Sequence, residues 1–503
     1  MARAVYGAPR MTRTIRRASV ALAIAGVVLG SPEVAFADPT TAAADAPSSD
    51  ASLDARLAPL FERGGLRSDD VAARAVATDA DVSAKRAGVA AAAAAVDQVI
   101  AAYLPRVTLS ARYTRLSSTD APSLGNIVAA PTAPAGPIAP GTRLVNVPLA
   151  IGSAPLNQYV ATASISVPLS DYVLRLTHGF ASAQHSERAA KLGVDAAKRH
   201  AASDARLAYY GWARARLQRA VAEQALDQAK LHLADAESAF EVGTALKADV
   251  LRVRSQVAQS ELLAQRGKNL EEASAELLRT AMHDRDEVTY EIGEDLRRDA
   301  PGVSGAADPR ALLADAIERR PEIRALDESA WSLERQAQAI RASYLPRVDA
   351  VGDLTYANPN SRAFPQKAEF TASWSAGVVL TWVVSDIPGA AAQKAGVEAN
   401  AAKVAAERRG LVDALRKEIA QARQALLDAQ AAVATSRAGL AAAEESYRVR
   451  RELFKAGRAT SAELTDAELD LTQARLEAIG ARVDARMSRV RLLHAIGRDG
   501  GAS

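Results

Sequence analysis

The chain has 503 residues, of which 4% are aromatic and none is cysteine. The lack of cysteine excludes disulfides, thiolate metal sites and a cysteine nucleophile. The aromatic-poor, alanine-rich composition favours long helices packed through small side chains over several globular cores.

The N-terminus has the three parts of a secretory signal peptide. Five arginines precede an apolar run at residues 18–30, and Ala35-Phe36-Ala37 follows, so we predict cleavage after Ala37. Removal of residues 1–37 takes away five arginines and one glutamate, which changes the formal net charge from +3 to −1. The charge of the mature chain therefore predicts no nucleic-acid partner. Residues 38–65 are predicted to form a flexible N-terminal segment.

The remaining chain is an internal duplication. We predict repeat 1 at residues 66–285 and repeat 2 at residues 309–497. A linker or equatorial segment at 286–308 joins the repeats, and residues 498–503 form a C-terminal tail. No later stretch reaches the roughly 20 uninterrupted apolar residues that a spanning helix needs.

The two repeats match at several motifs. Tyr103-Leu-Pro-Arg-Val107 recurs letter for letter from Tyr344, 241 residues later, whereas three later motifs recur at offsets of 214 or 215 residues. The constant later offset predicts helices of equal length in both repeats. The difference of about 26 residues indicates a longer loop in repeat 1, at 117–157. Its proline- and glycine-rich stretch 129–141 is predicted to hold neither helix nor strand ladder.

Each repeat contains two segments in which apolar and polar residues alternate. They predict strands at about 105–116, 158–170, 346–356 and 369–383, each near the length that crosses a bilayer. An alternating segment alone also fits a hairpin on a soluble core, but the rest of the chain is helical and offers no sheet core. Four strands cannot close a barrel and open edges are not tolerated in lipid, so we predict a trimeric 12-stranded barrel. Five aromatic residues are predicted to lie at its membrane interfaces: Tyr113, Tyr159, Phe370, Trp374 and Trp382.

A very long helix is predicted after the second strand of each repeat. The first runs from Asp171 towards Gly243, and the second from Asp386 towards Gly457. Asp386, which precedes Pro388, is predicted to cap the second helix. Each glycine is predicted to end its helix, and a second helix runs back from it. The fold class is therefore mainly α, with two long coiled-coil hairpins and four membrane strands per chain.

Three segments of the chain resemble the TolC family of outer-membrane efflux proteins. Leu207–Trp212 looks like the family's motif on the first long helix, and Ala239–Val250 and Leu453–Leu464 look like its two helix tips. The resemblance covers residues 66–497. It implies a homotrimer with a barrel in outer-membrane lipid and a helical tunnel in the periplasm. The implied partners are a periplasmic adaptor protein and an inner-membrane transporter of a tripartite efflux or type I secretion system, exporting small molecules or polypeptides.

The resemblance also implies roles for the tips. Asp249, Glu463 and Asp466 match acids of the periplasmic gate, where threefold symmetry would concentrate negative charge. Thr460 and Glu463 also fit a capping box, which we predict as the main role of Glu463. Ala459 stands where the family offers an arginine partner, so the lock is expected to differ and to use Arg458 or Lys247. Six residues are expected to dock the adaptor: Val242, Gly243, Thr244, Ala456, Gly457 and Arg458.

The sequence predicts no catalytic, metal or cofactor site. It has no phosphate-binding glycine loop, nucleophile elbow or catalytic acid pair, and its six histidines show no metal-ligand spacing. We predict that these histidines are solvated residues of helices. The alternative function is a periplasmic coiled-coil adaptor or structural envelope protein, which would carry one hairpin and compact β modules.

Overall fold

A computed structural model describes the chain from residue 57 to 499, with gaps. The described ranges are 57–118, 123–130, 136–150, 155–284, 288–298, 308–364 and 366–499. The predicted signal peptide at 1–37, most of the predicted N-terminal segment, part of the predicted linker and residues 500–503 lie outside the described residues.

In each repeat, two of the described helices precede two strands of the main sheet, and a long helix and a returning helix follow the second of these strands. The helices are α1 (Ser68–Thr78), α2 (Ala80–Ala101), α3 (Leu169–Leu174), α4 (Leu176–Glu241), α5 (Lys247–Met282), α6 (Pro309–Arg319), α7 (Pro321–Arg341), α8 (Ile387–Lys455) and α9 (Ser461–Ala495). The strands are β1 (Phe61–Leu66), β2 (Arg106–Arg115), β3 (Ser123–Ala129), β4 (Val145–Ala150), β5 (Asn157–Val167), β6 (Arg347–Asn358) and β7 (Thr371–Thr381).

The four predicted strands form one antiparallel sheet in the order β2-β5-β6-β7. The predicted end of the second strand at residue 170 is wrong, because β5 ends at Val167 and α3 begins at Leu169. Pro168 lies between them and has no backbone amide hydrogen with which to continue a ladder. The third strand continues to Asn358, two residues past the predicted end.

The long loop of repeat 1 has more structure than its composition predicts. Strands β3 and β4 within residues 117–157 pair as an antiparallel hairpin. The proline- and glycine-rich stretch begins where β3 ends at Ala129, and residues 131–135 lie outside the described residues. Among the described residues of that stretch, only Ala129 belongs to a strand, because proline and glycine disfavour ladder pairing.

The two long helices have nearly equal lengths, 66 residues in α4 and 69 in α8. The first does not begin at Asp171, because the chain forms the short α3 and breaks at Arg175 before α4 starts. The prediction that Asp386 caps α8 is also wrong. Asp386 has helical backbone angles, φ −84° and ψ −14°, and its side chain makes no cap hydrogen bond among the described residues. An N-cap side chain reaches the first turn from an extended backbone.

The main hydrophobic core lies where α4, α5 and α9 meet the segment 288–298. The described part of the predicted linker or equatorial segment is therefore packed between the helices. The predicted flexible N-terminal segment is wrong at its end, where Leu57 is buried and β1 bridges to Ile292. Core side chains include Val71, Tyr209, Trp212, Leu217, Leu278, Met282, Tyr290, Leu296, Ile479 and Val483.

Two glycines let the packed linker approach β1. The amide of Leu66 donates to the Glu291 carbonyl at 2.7 Å, and the amide of Gly293 donates to the Leu66 carbonyl at 2.8 Å. A Cβ on Gly293 would lie 2.0 Å from the carbonyl oxygen of Gly65, so only glycine fits this contact. The predicted tail is also packed in part, because Asp499 is buried and its Oδ2 lies 2.5 Å from Nδ1 of His494.

Candidate functional site: the sheet and the two helix tips

One face of the four-stranded sheet is apolar and exposed. Leu109, Ala163, Leu354 and Trp374 form one row across the four strands. The exposed fraction is 78% for Leu109, 73% for Trp374 and 67% for Val378. A sheet on a soluble core would bury this face. Its exposure therefore indicates that the face contacts an apolar environment outside the chain.

The opposite face of the sheet is polar. Asp353 Oδ1 accepts a hydrogen bond from Ser164 Oγ at 2.8 Å, and its Oδ2 accepts one from Ser375 Oγ at 3.4 Å. Arg347 Nε donates to Asp349 Oδ1 at 2.9 Å. The alternation read from the sequence therefore separates an apolar face from a polar face across all four strands.

Four of the five predicted interface aromatics lie towards the two ends of the apolar face. At one end, the ring centroids of Tyr113 and Tyr159 are 5.0 Å apart, and those of Tyr159 and Phe370 are 6.0 Å apart. Trp382 follows the other end of β7, where its Nε1 donates to the Tyr344 carbonyl at 3.2 Å. Trp374 lies between the two ends. Aromatic residues with polar groups at both ends of an apolar strip have the arrangement of membrane girdles.

Each long helix ends in the same backbone turn. Gly243 and Gly457 have φ of +81° and +70°. The amide of Thr244 donates to the Ala239 carbonyl at 2.9 Å, and the amide of Arg458 donates to the Leu453 carbonyl at 2.8 Å. These bonds form a Schellman motif at each tip, in which glycine takes the left-handed conformation without strain.

The predicted docking residues at both tips are exposed, and the first tip is the more apolar. Val242 is 74% exposed, and the chain also exposes 71% of Leu246, which the sequence reasoning missed. Leu246 occupies the N-cap position of α5, where polar residues are preferred. In the sequence, the signal for this residue was a leucine at a position where a polar capping residue is expected. At the second tip, Arg458 gives the turn a positive charge.

The three predicted gate acids have different surroundings. The capping box of Glu463 is confirmed, because the Thr460 amide donates to Glu463 Oε2 at 2.9 Å and the Glu463 amide donates to Thr460 Oγ1 at 3.2 Å. The hydrogen bond from the Thr460 amide, and then the one from Arg450 at 2.6 Å, lower the pKa of Glu463. Asp249 occupies the matching position of α5 and accepts from the Leu246 amide at 3.2 Å. Asp466 is exposed, one turn further along α9.

The motif at residues 207–212 lies in the hydrophobic core and is distant in sequence from the tips. Tyr209 and Trp212 are 0% and 2% exposed. Tyr210 Oη donates to Glu294 Oε2 at 3.1 Å, and burial followed by the charge of Glu294 raises the pKa of Tyr210 to about 12. The motif therefore joins α4 to the packed linker.

The match to a known family covers most of the chain. The profile of the family described as "Outer membrane efflux protein" matches residues 71–282 and 312–498. The chain belongs to the outer membrane efflux protein family. The two matched ranges correspond to the two repeats, and the resemblance inferred from the sequence motifs is confirmed. This efflux protein is an outer-membrane export channel, so the alternative of a periplasmic coiled-coil adaptor or structural envelope protein is set aside. Comparison with curated protein sequences gives no match.

Solved structures share the fold of this efflux protein. The outer-membrane channel OprN is 21% identical with a TM-score of 0.66, and the match covers 93% of this chain and 98% of OprN. Campylobacter jejuni CmeC is 14% identical with a TM-score of 0.65, covering 94% of each chain. The open state of Neisseria gonorrhoeae MtrE is 15% identical with a TM-score of 0.66, covering 87% of this chain and 91% of MtrE.

The prediction that all six histidines are solvated is wrong for His232, which is 4% exposed and whose Nδ1 lies 3.4 Å from Glu468 Oε2. Among the described residues, no three His, Cys, Asp or Glu side chains converge as a metal site. None of their helices has the length and hydropathy of a membrane-spanning helix.

Proposed function

We propose that three copies of this efflux protein close a 12-stranded barrel in the outer membrane and that their helical hairpins enclose an export tunnel in the periplasm. The observation that carries this proposal is the sheet, which has one apolar face and two open edges, β2 and β7. Within lipid each edge must find a hydrogen-bonding partner. Edge strand β2 of one copy pairing with β7 of the next supplies that partner and directs every polar face inward.

Two adjacent valines of β7 test the membrane face. Val378 belongs to the apolar face and Val379 to the polar face. We expect Val378→Arg to prevent accumulation of trimers in the outer membrane, because an arginine facing lipid costs about 2 to 4 kcal/mol near the bilayer centre. The measurement is the amount of trimer in outer-membrane fractions.

Val379→Arg is the matched control, with the same substitution one residue away. Its side chain faces the proposed lumen, so trimers should accumulate at close to the wild-type level. Equal loss of trimer in both variants, or in neither, would contradict the proposed orientation of the sheet.

The two tips are proposed to dock a periplasmic adaptor that is joined to an inner-membrane transporter. Support comes from the repeated Schellman turns and from the exposure of all six docking residues, Val242, Gly243, Thr244, Ala456, Gly457 and Arg458. The proposed surface pairs an apolar first tip with a basic second tip. The cargo, whether small molecules or polypeptides, enters the tunnel between these tips.

Crosslinking tests the docking surface, since the native chain has no cysteine that would react. A single cysteine at Thr244 or at Arg458, with a short thiol-to-amine crosslinker, should capture a co-expressed periplasmic adaptor as an identified mass-spectrometric adduct. A cysteine at Arg416, whose side chain is 67% exposed midway along α8, is the control and should capture none. Capture from position 416 alone would place docking away from the tips.

The acids of the second tip are proposed to divide two roles. Glu463 caps α9, while Asp466 faces the tunnel entrance and, with its symmetry mates, attracts cations. Asp249 caps α5 and adds to the negative charge of the proposed gate. This assignment of roles is supported by the hydrogen bonds that Glu463 and Asp249 accept from backbone amides and by the exposure of Asp466.

A further inference from the structure

One arginine of the edge strand β2 lies on the polar face of the sheet. Arg112 is four residues after Thr108, and Thr108 lies in the same row across the strands as Asp353. Side chains alternate between the two faces of a strand, so Arg112 points to the same face as Asp353. In the proposed trimer this face lines the lumen of the barrel.

Arg112 is close to the end of the sheet that is farthest from the helices. The helices adjoin the end where β2 begins at Arg106 and β5 ends at Val167. At the opposite end, β2 stops at Arg115, three residues after Arg112. The proposed tunnel of helices extends into the periplasm, so Arg112 lies in the outer part of the barrel lumen.

The row of side chains that contains Arg112 has no other charge. Arg112 is in register with Val160 of β5, which is in register with Ala357 of β6, and Ala357 is in register with Thr371 of β7. Arg112 is exposed, and among the described residues no carboxylate forms a salt bridge with it. Its positive charge is therefore available to a ligand in the lumen.

The neighbouring chain of the proposed trimer would bring no acid to Arg112 from its strand. Strand β7 of that chain is the proposed partner of β2. Its polar face carries only uncharged residues, namely Thr371, Ser373, Ser375, Gly377, Val379 and Thr381. This holds for any register between the two strands. Glu369 precedes β7, but Lys367 is two positions before it, so this turn adds no net charge.

Among the described strands, Asp353 is the nearest acid on this face, and it is too distant to neutralise Arg112. Four residues along a strand and two strands across the sheet correspond to a separation of about 16 Å. That is about twice the screening length of roughly 8 Å at physiological salt. Both carboxylate oxygens of Asp353 also accept hydrogen bonds from hydroxyl groups, those of Ser164 and Ser375.

Threefold symmetry would place three Arg112 guanidinium groups around the axis of the pore. Twelve strands about 4.8 Å apart and tilted by about 40° close into a barrel of about 12 Å radius. An extended arginine reaches about 6 Å from its Cα, which leaves each guanidinium group about 6 Å from the axis. An ion on the axis is then within one screening length of all three charges.

The outer part of the chain is basic as a whole. The segments 109–161 and 354–376, which include the outer halves of the four strands and the loops between them, contain five basic and two acidic residues. Their net charge of +3 contrasts with −1 for the predicted mature chain. Charge of one sign around a cleft raises the local concentration of counter-ions. Anions are therefore attracted to this end of the barrel.

We propose that the three Arg112 side chains form an anion-binding ring in the outer part of the lumen, and that the ring takes multivalent anions that carry phosphate or carboxylate groups. The proposal rests on the proposed trimeric barrel. Guanidinium groups stay charged at physiological pH and donate paired hydrogen bonds to such anions. Phosphate groups of membrane lipids have the same chemistry, but they would meet Arg115, which lies on the apolar face of β2.

Conductance of the full-length protein in planar bilayers of neutral phosphatidylcholine tests the ring without anionic lipid. Tripolyphosphate added on the outer side should reduce the current, and this block should weaken as the salt concentration rises. Arg112→Gln should raise the half-blocking concentration at least about tenfold, the effect of losing one charge-assisted hydrogen bond. Arg112→Lys keeps the charge and should stay within about threefold of the wild type.

Arg115→Gln is the matched control, because it removes an arginine three residues along the same strand but on the outward face. Its block should equal that of the wild type. Four results would overturn the ring: a wild-type channel that tripolyphosphate does not block, an unchanged block in Arg112→Gln, a block as weak in Arg112→Lys as in Arg112→Gln, or a block lost in Arg115→Gln. A wild-type protein that forms no channel would instead contradict the proposed export function.

Discussion

Gly293→Ala is expected to destabilise this efflux protein by about 3 to 5 kcal/mol. The new Cβ would lie 2.0 Å from the carbonyl oxygen of Gly65, 2.5 Å from its carbonyl carbon and 3.0 Å from the carbonyl oxygen of Leu66. These are backbone atoms, so no side chain can rotate away to make room. The packed linker must separate from β1, which breaks the bond from the Gly293 amide to the Leu66 carbonyl. Thermal unfolding of the purified protein measures the loss.

Gly396→Ala is the control for this prediction. Gly396 lies within α8, and a Cβ there would meet no atom within 4 Å. Alanine has the higher helix propensity, so the variant should gain up to about 1 kcal/mol. If both alanine variants unfolded at the wild-type temperature, the close approach of Gly293 to Gly65 would have no energetic role.

Trp212→Ala is the second substitution with a large expected effect, about 3 to 5 kcal/mol of stability. The Trp212 ring is 2% exposed and packs against Tyr209 and Tyr290, with centroid distances of 5.9 and 6.1 Å. The guanidinium carbon of Arg216 lies 5.6 Å from the ring centroid. Removing the ring leaves a cavity between α4 and the packed linker, and the unfolding temperature should fall.

Trp331→Ala is the matched control, since the Trp331 side chain of α7 is 48% exposed. This ring is about half exposed, so its truncation removes less buried area than that of Trp212, and the expected loss is about 1 to 2 kcal/mol. Equal losses for the two tryptophans would mean that the core at α4 is not the main source of stability.

The local features of the chain could be predicted from the sequence because short-range patterns determine them. The period-two alternation identified all four sheet strands, since side chains alternate strictly between the two faces of a strand. The glycines at 243 and 457 marked both helix tips, because glycine takes positive φ without strain. Thr460 and Glu463 marked the start of α9, since a capping box involves residues only three positions apart.

Predictions from local sequence patterns failed where the backbone conformation or long-range contacts gave a residue a different environment. Asp386 has the residue type of a cap but a helical backbone, so its side chain does not cap α8. The segment 288–298 has the composition of a linker but is held by long-range contacts. Arg486 of α9 donates to the carbonyls of Leu296 at 3.2 Å and Asp295 at 3.3 Å.

The sequence by itself determined the duplication, the strand faces, the two long helices of nearly equal length and the family. Only the tertiary structure decided that the linker belongs to the core and that His232 is buried against Glu468. The physical reason is the distance along the chain: Gly65 and Gly293 are 228 residues apart, and His232 and Glu468 are 236 apart. No local sequence pattern predicts such a long-range contact, because the contact depends on how distant parts of the chain pack against each other.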